Sequence, residues 1–147
     1  MASTTICSNL ARTLADEYTL TLKTQNFHWN VEGPMFYSLH LMFEQQYTAM
    51  QLIVDRVAER IRSYGEKAPG SYEEFKKISK IQDASPGKLS AHQMIDALVE
   101  DHETLLKDIH LFRKLADQAG DATTATLYDE LALFHDKAAW MIRSQRS

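Results

Sequence analysis

The sequence has few residues that break a helix or cross-link a chain. Its 147 residues include three prolines, five glycines and one cysteine. Cys7 cannot form a disulfide within the chain, so we expect a reducing compartment, the cytoplasm. No apolar run approaches the roughly 18 residues of a membrane span, and the first residues lack the basic and apolar regions of a secretory signal. Internal repeats, low-complexity runs and Gly-rich phosphate loops are absent too.

Positive charge is also scarce. Sixteen Lys and Arg face twenty Asp and Glu, for a net charge of −4. The first basic residue is Arg12, and only Arg143 and Arg146 lie near the C-terminus, so there is no lysine-rich tail. Because nucleic-acid affinity depends mainly on cations that neutralise phosphates, these features argue against direct DNA binding.

The composition is that of an ordinary globular domain rich in helix. Apolar residues make up 44% and charged residues 24% of the chain, which predicts one domain over residues 1–147. Caps and helix breakers predict a first helix beginning after Ser3 or Thr4 and a long second helix between Met35 and Gly65. A short helix follows, capped by Ser71, with Glu74 closing a capping box. The third helix runs from Ser90 to Ala119, where Gly120 stops it, and the fourth runs from Thr123 to Arg143.

Two histidines and three acids carry the candidate chemistry. His28 and His40 lie on either side of the Gly33-Pro34 break, and imidazole together with carboxylate suits iron and other first-row metals. On the second helix, His40 with Glu44 and Asp55 with Glu59 are i,i+4 pairs on one stripe. The apolar stripe of this helix lies on a different face: Leu39, Phe43, Met50, Val54, Val57 and Ile61.

The two i,i+4 pairs are too far apart to share a metal within one chain. At about 1.5 Å per residue, His40 and Asp55 are about 22 Å apart along the helix. Two copies of this helix packed antiparallel about a two-fold axis near Tyr47–Gln51 would bring His40 of one copy level with Asp55 and Glu59 of the other. We therefore expect a dimer with two identical metal sites between chains, with His28 joining from the subunit that supplies His40.

Plainer interpretations of these residues remain open. His28 could be a buried histidine bonded to a backbone carbonyl, and Asp55 and Glu59 could be solvated acids paired with Arg56, Arg60 or Arg62. The other histidines lack carboxylates at ligand spacing, which indicates structural or surface roles: His92, His102, His110 and His135. A di-iron site inside one bundle needs Glu-x-x-His motifs, and no glutamate is followed three positions later by histidine.

The same stretch resembles the signature of the Dps family, the DNA-protection-during-starvation proteins or mini-ferritins. The shared pattern runs from Asn26 to Ile61: N-F-H-W-N-V-x-G-x-x-F-x-x-L-H-x-x-F-E-x-x-Y, then D-x-x-A-E-R-I. A short segment after Gly70, the long third helix and D-K-x-x-W-M near the end extend the similarity over nearly the whole chain. The resemblance implies an all-α, ferritin-like four-helix bundle with a short helix in the long connection between helices two and three.

The resemblance also implies an activity and an assembly. Dps proteins form twelve-subunit cages from two-fold dimers, oxidise ferrous iron preferentially with hydrogen peroxide, and store the ferric mineral. By motif match the ferroxidase ligands are His28, His40, Asp55 and Glu59, with Glu44 as an auxiliary acid and Trp29 beside the centre, where its alternative role is packing.

The predicted function is therefore that of a ferroxidase and iron-storage protein that protects DNA and cell from oxidative damage. The alternatives are a DNA-binding, nucleoid-condensing structural protein and a cage that holds zinc or another divalent ion without turnover. The family's acidic three-fold pores lie near the start of the fourth helix. Asp121 is retained there, with Asp117, Asp129 or Glu130 as further candidates, whereas Ala122 and Thr126 replace common carboxylates.

Overall fold

The computed structural model describes residues 2–146 and, within them, the side chains of residues 4–146. These residues form five helices and no strand: α1 (Ala2–Asn30), α2 (Phe36–Ser63), α3 (Tyr72–Ile78), α4 (Ala91–Gln118) and α5 (Ala122–Arg143). The four long helices make the bundle, and α3 lies in the connection between α2 and α4. The predicted all-α bundle with a short helix in the long connection is confirmed.

A tight turn at Gly33 joins α1 and α2 into an antiparallel hairpin. Gly33 has a φ of +98°, in the left-handed region that side chains with a Cβ disfavour. The Phe36 N–H donates to the Gly33 carbonyl at 3.0 Å, and Pro34 stands where its missing N–H is not needed. The end of α1 therefore lies beside the start of α2.

The α4–α5 hairpin has caps that the sequence predicts. Ser90 and Gln93 form a reciprocal capping box at the start of α4. At its end Gly120 has a φ of +79°, and the N–H groups of Gly120 and Asp121 donate to the Asp117 and Ala116 carbonyls. This is the Schellman arrangement, which satisfies carbonyls that the helix leaves free.

The crossover helix α3 is fastened to α1 by aromatic packing. Phe75 is buried and its ring centroid lies 5.0 Å from that of Tyr18. Ser71 caps α3 as predicted by accepting from the Glu74 N–H. The other half of the predicted box differs, because the Glu74 carboxylate accepts from the Gly70 N–H and the Ser71 hydroxyl.

The bundle packs the two hairpins against each other, α1 on α4 and α2 on α5. The predicted α2 stripe faces the core, with Val54 half-buried at its edge. Each large apolar side chain buried in this way stabilises the fold by about 1.5–3 kcal/mol. None of the helices formed by residues 2–146 is long and apolar enough to cross a membrane.

Two local predictions about the helices are wrong. The first helix begins at Ala2, before Ser3 and Thr4, because a hydroxyl cap is a modest preference that a favourable helix can override. In the sequence Trp140 stands beside the inward stripe of the last helix, which predicts that it packs against the bundle. It is 60% exposed, because it follows the buried Ala139 by one position and so points about 100° around the helix from it.

Candidate metal centre

The reversal at Gly33 places His28, near the end of α1, against His40 in the second turn of α2. The two rings stack with centroids 3.9 Å apart and planes 12° from parallel. His28 is buried and His40 is half-buried. The structure thus brings together two predicted site residues that are twelve positions apart in the chain.

The backbone of each histidine holds the ring of the other. His28 Nδ1 lies 2.7 Å from the His40 carbonyl oxygen, and His40 Nδ1 lies 2.7 Å from the His28 carbonyl oxygen. A carbonyl oxygen only accepts, so each Nδ1 must carry a hydrogen and donate it. The lone pair of each neutral ring is then on Nε2, the form in which imidazole binds a metal. His28 is thus a buried histidine bonded to a backbone carbonyl through Nδ1, as the plainer interpretation predicts, but its Nε2 is still available to a metal.

Glu44 lies on the open side of this pair. Its Oε1 is 3.7 Å from His28 Nε2, and its side chain is about half exposed. Glu44 follows His40 by one helical turn, so the two side chains project from the same face of α2. One chain therefore places two imidazole rings and a half-exposed carboxylate beside one another, which is only part of a metal site.

Aromatic rings surround the histidine pair on two sides. Phe36 stacks on His40 with centroids 4.8 Å apart, and Tyr47 meets His28 edge-on at 5.3 Å. Trp29 is 59% exposed and makes no ring contact within the described residues. Its alternative role, packing within this chain, is therefore not observed.

Asp55 and Glu59 lie on the same helix as His40 but far from it. Because α2 runs unbroken from Phe36 to Ser63, His40 and Asp55 are separated by about 22 Å at 1.5 Å per residue. Both carboxylates are exposed. Within the described residues, no group of three or more His, Cys, Asp or Glu side chains is arranged so that it could hold a metal ion.

The arginines near these carboxylates have other partners. Arg56 pairs with Glu130, and Arg60 with Asp121 at 3.1 Å. Arg62 donates to the Glu66 carbonyl at 2.8 Å. The interpretation in which these arginines neutralise Asp55 and Glu59 is therefore wrong in this chain, because the arginines reach α5 and the following loop instead.

The surface beside Asp55 is apolar. Leu52 on α2 is 65% exposed and Leu22 on α1 is 42% exposed. A shallow groove there is lined by Tyr18, Gln51 and Asp55, among others. Exposed apolar patches with a polar rim are typical of protein–protein contacts, so this surface has the character of an interface.

A second polar cluster, buried inside the bundle, was not predicted. His135 Nε2 lies 2.6 Å from Glu17 Oε2, and His135 Nδ1 lies 2.8 Å from His102 Nδ1. These three residues from α5, α1 and α4 are fully buried. Sequence spacing did not reveal the carboxylate partner of His135, because Glu17 is 118 positions away; the buried cluster fits the structural role expected for His102 and His135. The available signal was Glu17 itself, which occurs at helical spacing between Leu14 and Thr21 on the inward stripe of α1.

The acids near the start of α5 are engaged within the chain. Asp121 accepts from the Thr124 N–H and hydroxyl and pairs with Arg60. Burial alone would raise the pKa of Asp121, but these hydrogen bonds and the charge of Arg60 outweigh it and lower that pKa. The other pore candidates are paired as well, Asp117 and Asp129 with Arg113 and Glu130 with Arg56.

Comparisons with known proteins agree with this architecture. A ferritin-like domain model matches residues 7–147. The DNA protection during starvation protein 2 of Bacillus anthracis is 36% identical over 135 residues, which cover 92% of each chain. A crystal structure of a Dps protein from Bacillus brevis superposes with a TM-score of 0.95 at 32% identity, covering 99% of this chain and 97% of the other.

A further solved relative is a Dps protein from Vibrio cholerae O1, described as a member of a broad superfamily of ferritin-like diiron-carboxylate proteins. It superposes with a TM-score of 0.94 at 27% identity, covering 99% of this chain and 91% of the other.

Proposed function

We propose that this chain, which belongs to the Dps family of ferritin-like proteins, oxidises ferrous iron at sites shared between two copies of the chain. In this proposal iron is both substrate and cargo, and the ferric product is stored inside a cage. The cage we expect is the family's homo-dodecamer, built from two-fold dimers. Hydrogen peroxide is the oxidant we favour.

One observation carries this proposal: the candidate ligands form two half-sites on the same helix. The first is the histidine pair, with both Nε2 atoms free of hydrogen bonds in the described chain. The second is Asp55 with Glu59, exposed about 22 Å away. Neither half is sufficient alone, because a stably bound first-row metal usually has three or more protein ligands.

A two-fold axis joins the halves without any change in the fold. If two α2 helices run antiparallel with the axis near Tyr47–Gln51, the histidine pair of one subunit faces Asp55 and Glu59 of the partner subunit. The exposed Leu52 lies beside this axis and would be covered. Each dimer then contains two equivalent sites.

The chemistry follows from the ligand types. Neutral imidazoles bind ferrous iron, and carboxylates stabilise the more highly charged ferric product. One peroxide accepts one electron from each of two ferrous ions, its O–O bond breaks, and with two protons it leaves as two waters. Because both electrons come from iron, no hydroxyl radical is released. Glu44 would assist a second iron, and Trp29 would quench stray oxidising equivalents.

Subunit complementation tests the shared site. One chain carries His28→Ala and His40→Ala, and the other carries Asp55→Ala and Glu59→Ala. Neither variant should oxidise iron alone, whereas a mixed dimer contains one site with all four ligands intact. Random 1:1 mixing should therefore restore about a quarter of the wild-type sites, measured as peroxide-driven ferric absorbance.

The matched control combines His28→Ala, His40→Ala, Asp55→Ala and Glu59→Ala in one chain and mixes it with each double variant. These mixtures cannot form an intact site and should remain inactive. Recovery no greater than in this control would contradict the shared site. Anaerobic zinc binding by wild type without any iron oxidation would favour the alternative of a non-catalytic cage.

A further inference from the structure

The ring of Phe36 occupies the one face of His40 that His28 does not cover. Phe36 precedes His40 by four residues, one turn of α2, and the two rings lie 21° from parallel with centroids 4.8 Å apart. The opposite face of His40 stacks on His28 at 3.9 Å. His40 is thus the middle ring of a three-ring stack.

We propose that Phe36 is a positioning residue for the iron site, and that its ring holds His40 Nε2 in the orientation that binds metal. This inference rests on the proposed function. Phe36 itself offers no ligand atom, so its effect on iron must pass through the imidazole that it contacts.

The need for such a residue follows from how His40 is held. His40 is half-buried, and within the described residues its ring makes one hydrogen bond, from Nδ1 to the His28 carbonyl. Rotation of the imidazole about its Cβ–Cγ bond would break the hydrogen bond at Nδ1 and change the direction in which Nε2 points. His28 is held more firmly, because it is buried and Tyr47 also contacts its edge. On the outer face of His40, the one ring contact among the described residues is Phe36, which is itself 42% exposed.

In the first turn of α2, Ser38 hydrogen-bonds to the Met35 carbonyl and to Gln145, and neither bond involves His40. Met35 is the N-cap residue and makes no capping hydrogen bond with its side chain. The Phe36 ring is therefore the side chain of this turn that stacks on the ligand one turn later. Removing the ring should leave His40 able to bind iron, but only after the imidazole has been ordered.

The test measures metal affinity and turnover separately on the assembled protein. Anaerobic titration with Co(II), which is not oxidised under these conditions, reports affinity, and the KM and kcat for Fe(II) report turnover. Phe36→Leu should weaken Co(II) binding and raise the Fe(II) KM by about two- to tenfold, the range expected for one lost aromatic pair. The kcat at saturating iron should stay within about twofold of wild type, because bound iron reorders the ligand.

Two further variants separate the ring from other effects. Phe36→Tyr keeps the stacked ring and should behave like wild type. Tyr37→Leu removes the neighbouring ring, which is 73% exposed and makes no ring contact within the described residues, and should also behave like wild type. If Phe36→Leu lowers the assembled fraction in size-exclusion chromatography, Phe36→Met replaces it.

The outcomes distinguish this inference from the proposed function. Loss of Co(II) binding in His40→Ala with unchanged binding in Phe36→Leu would overturn the role of Phe36 alone. Equal weakening in Phe36→Tyr and Phe36→Leu would also overturn it, because the ring would then not be the cause. Co(II) binding that neither His28→Ala nor His40→Ala reduces would remove the site itself.

Discussion

His102 is a fully buried histidine that has no counter-ion of its own. Burial, followed by the proximity of His135, moves the pKa of His102 well below its ordinary value of 6.5. Its Nε2 has no hydrogen-bond partner within the described chain, so a proton there would be neither solvated nor paired. The folded bundle therefore favours the neutral form of His102.

This depressed pKa predicts a loss of stability in acid. Above pH 6.5 His102 is neutral in both the folded and unfolded states and adds no pH dependence. Below pH 6.5 the unfolded chain binds a proton at His102 that the folded chain does not bind. The free energy of unfolding therefore decreases as the pH is lowered. The slope from one such group reaches at most about 1.4 kcal/mol per pH unit. Urea unfolding at pH 7, 6 and 5, at one protein concentration, measures it.

The matching variant is His102→Gln, whose amide N–H can still donate to His135 Nδ1. It should be less stable than wild type at pH 7 but should lose less stability between pH 7 and pH 5. His92→Gln is the control, because His92 is exposed and should leave the wild-type slope unchanged. If the free energy of unfolding of His102→Gln changes with pH as steeply as that of wild type, His102 is not the source of the pH dependence.

At the scale of the helices, the turn between α4 and α5 depends on one glycine. Gly120 adopts a φ of +79° within the Schellman arrangement, and open space surrounds the position of a Cβ there. Gly120→Ala should therefore destabilise the fold through backbone strain alone, by about 1–2 kcal/mol. Denaturant unfolding of wild type and variant at equal concentration checks this.

Gly70→Ala provides the matched control for this helix turn. Gly70 also has open space around its Cβ position, but its φ lies outside the left-handed region. Its N–H, which donates to Glu74, is retained in alanine. We expect no loss of stability, and a gain of up to about 1 kcal/mol from the less flexible unfolded chain. Equal losses in the two variants would rule out strain at Gly120.

At the scale of the whole molecule, the charge distribution favours protection of DNA through iron oxidation over protection through direct binding to DNA. The net charge is −4, and the exposed Lys77, Lys80 and Lys88 each pair with an acid. A gel shift at physiological salt should show no retarded plasmid, because twenty Asp and Glu outnumber sixteen Lys and Arg and repel the phosphates.

The same protein should still protect plasmid from nicking by ferrous iron and peroxide. Asp55→Ala, which changes the surface charge by only one unit, should lose this protection without gaining DNA binding. A retarded plasmid at physiological salt, or protection that survives Asp55→Ala, would favour the nucleoid-condensing alternative instead.

Much of this molecule can be read from short-range patterns. Gly33 with Pro34, Ser71, Ser90 and Gly120 mark helix ends because caps and left-handed turns depend on a few adjacent residues. The spacing on α2 likewise determines that His40 and Asp55 cannot meet within one chain, because the rise of a helix is constant. The sequence alone also indicated which side chains share a face of α2, because residues four positions apart project from the same side of a helix.

The tertiary structure alone decided how these side chains are held. The exchange of Nδ1 hydrogen bonds between His28 and His40, the link from Glu17 to His135 and the pairing of Arg60 with Asp121 join residues on different helices. Such contacts depend on the depth and rotation at which the helices pack. Helical periodicity specifies the face on which a residue lies, whereas only bundle packing selects the residue that it meets.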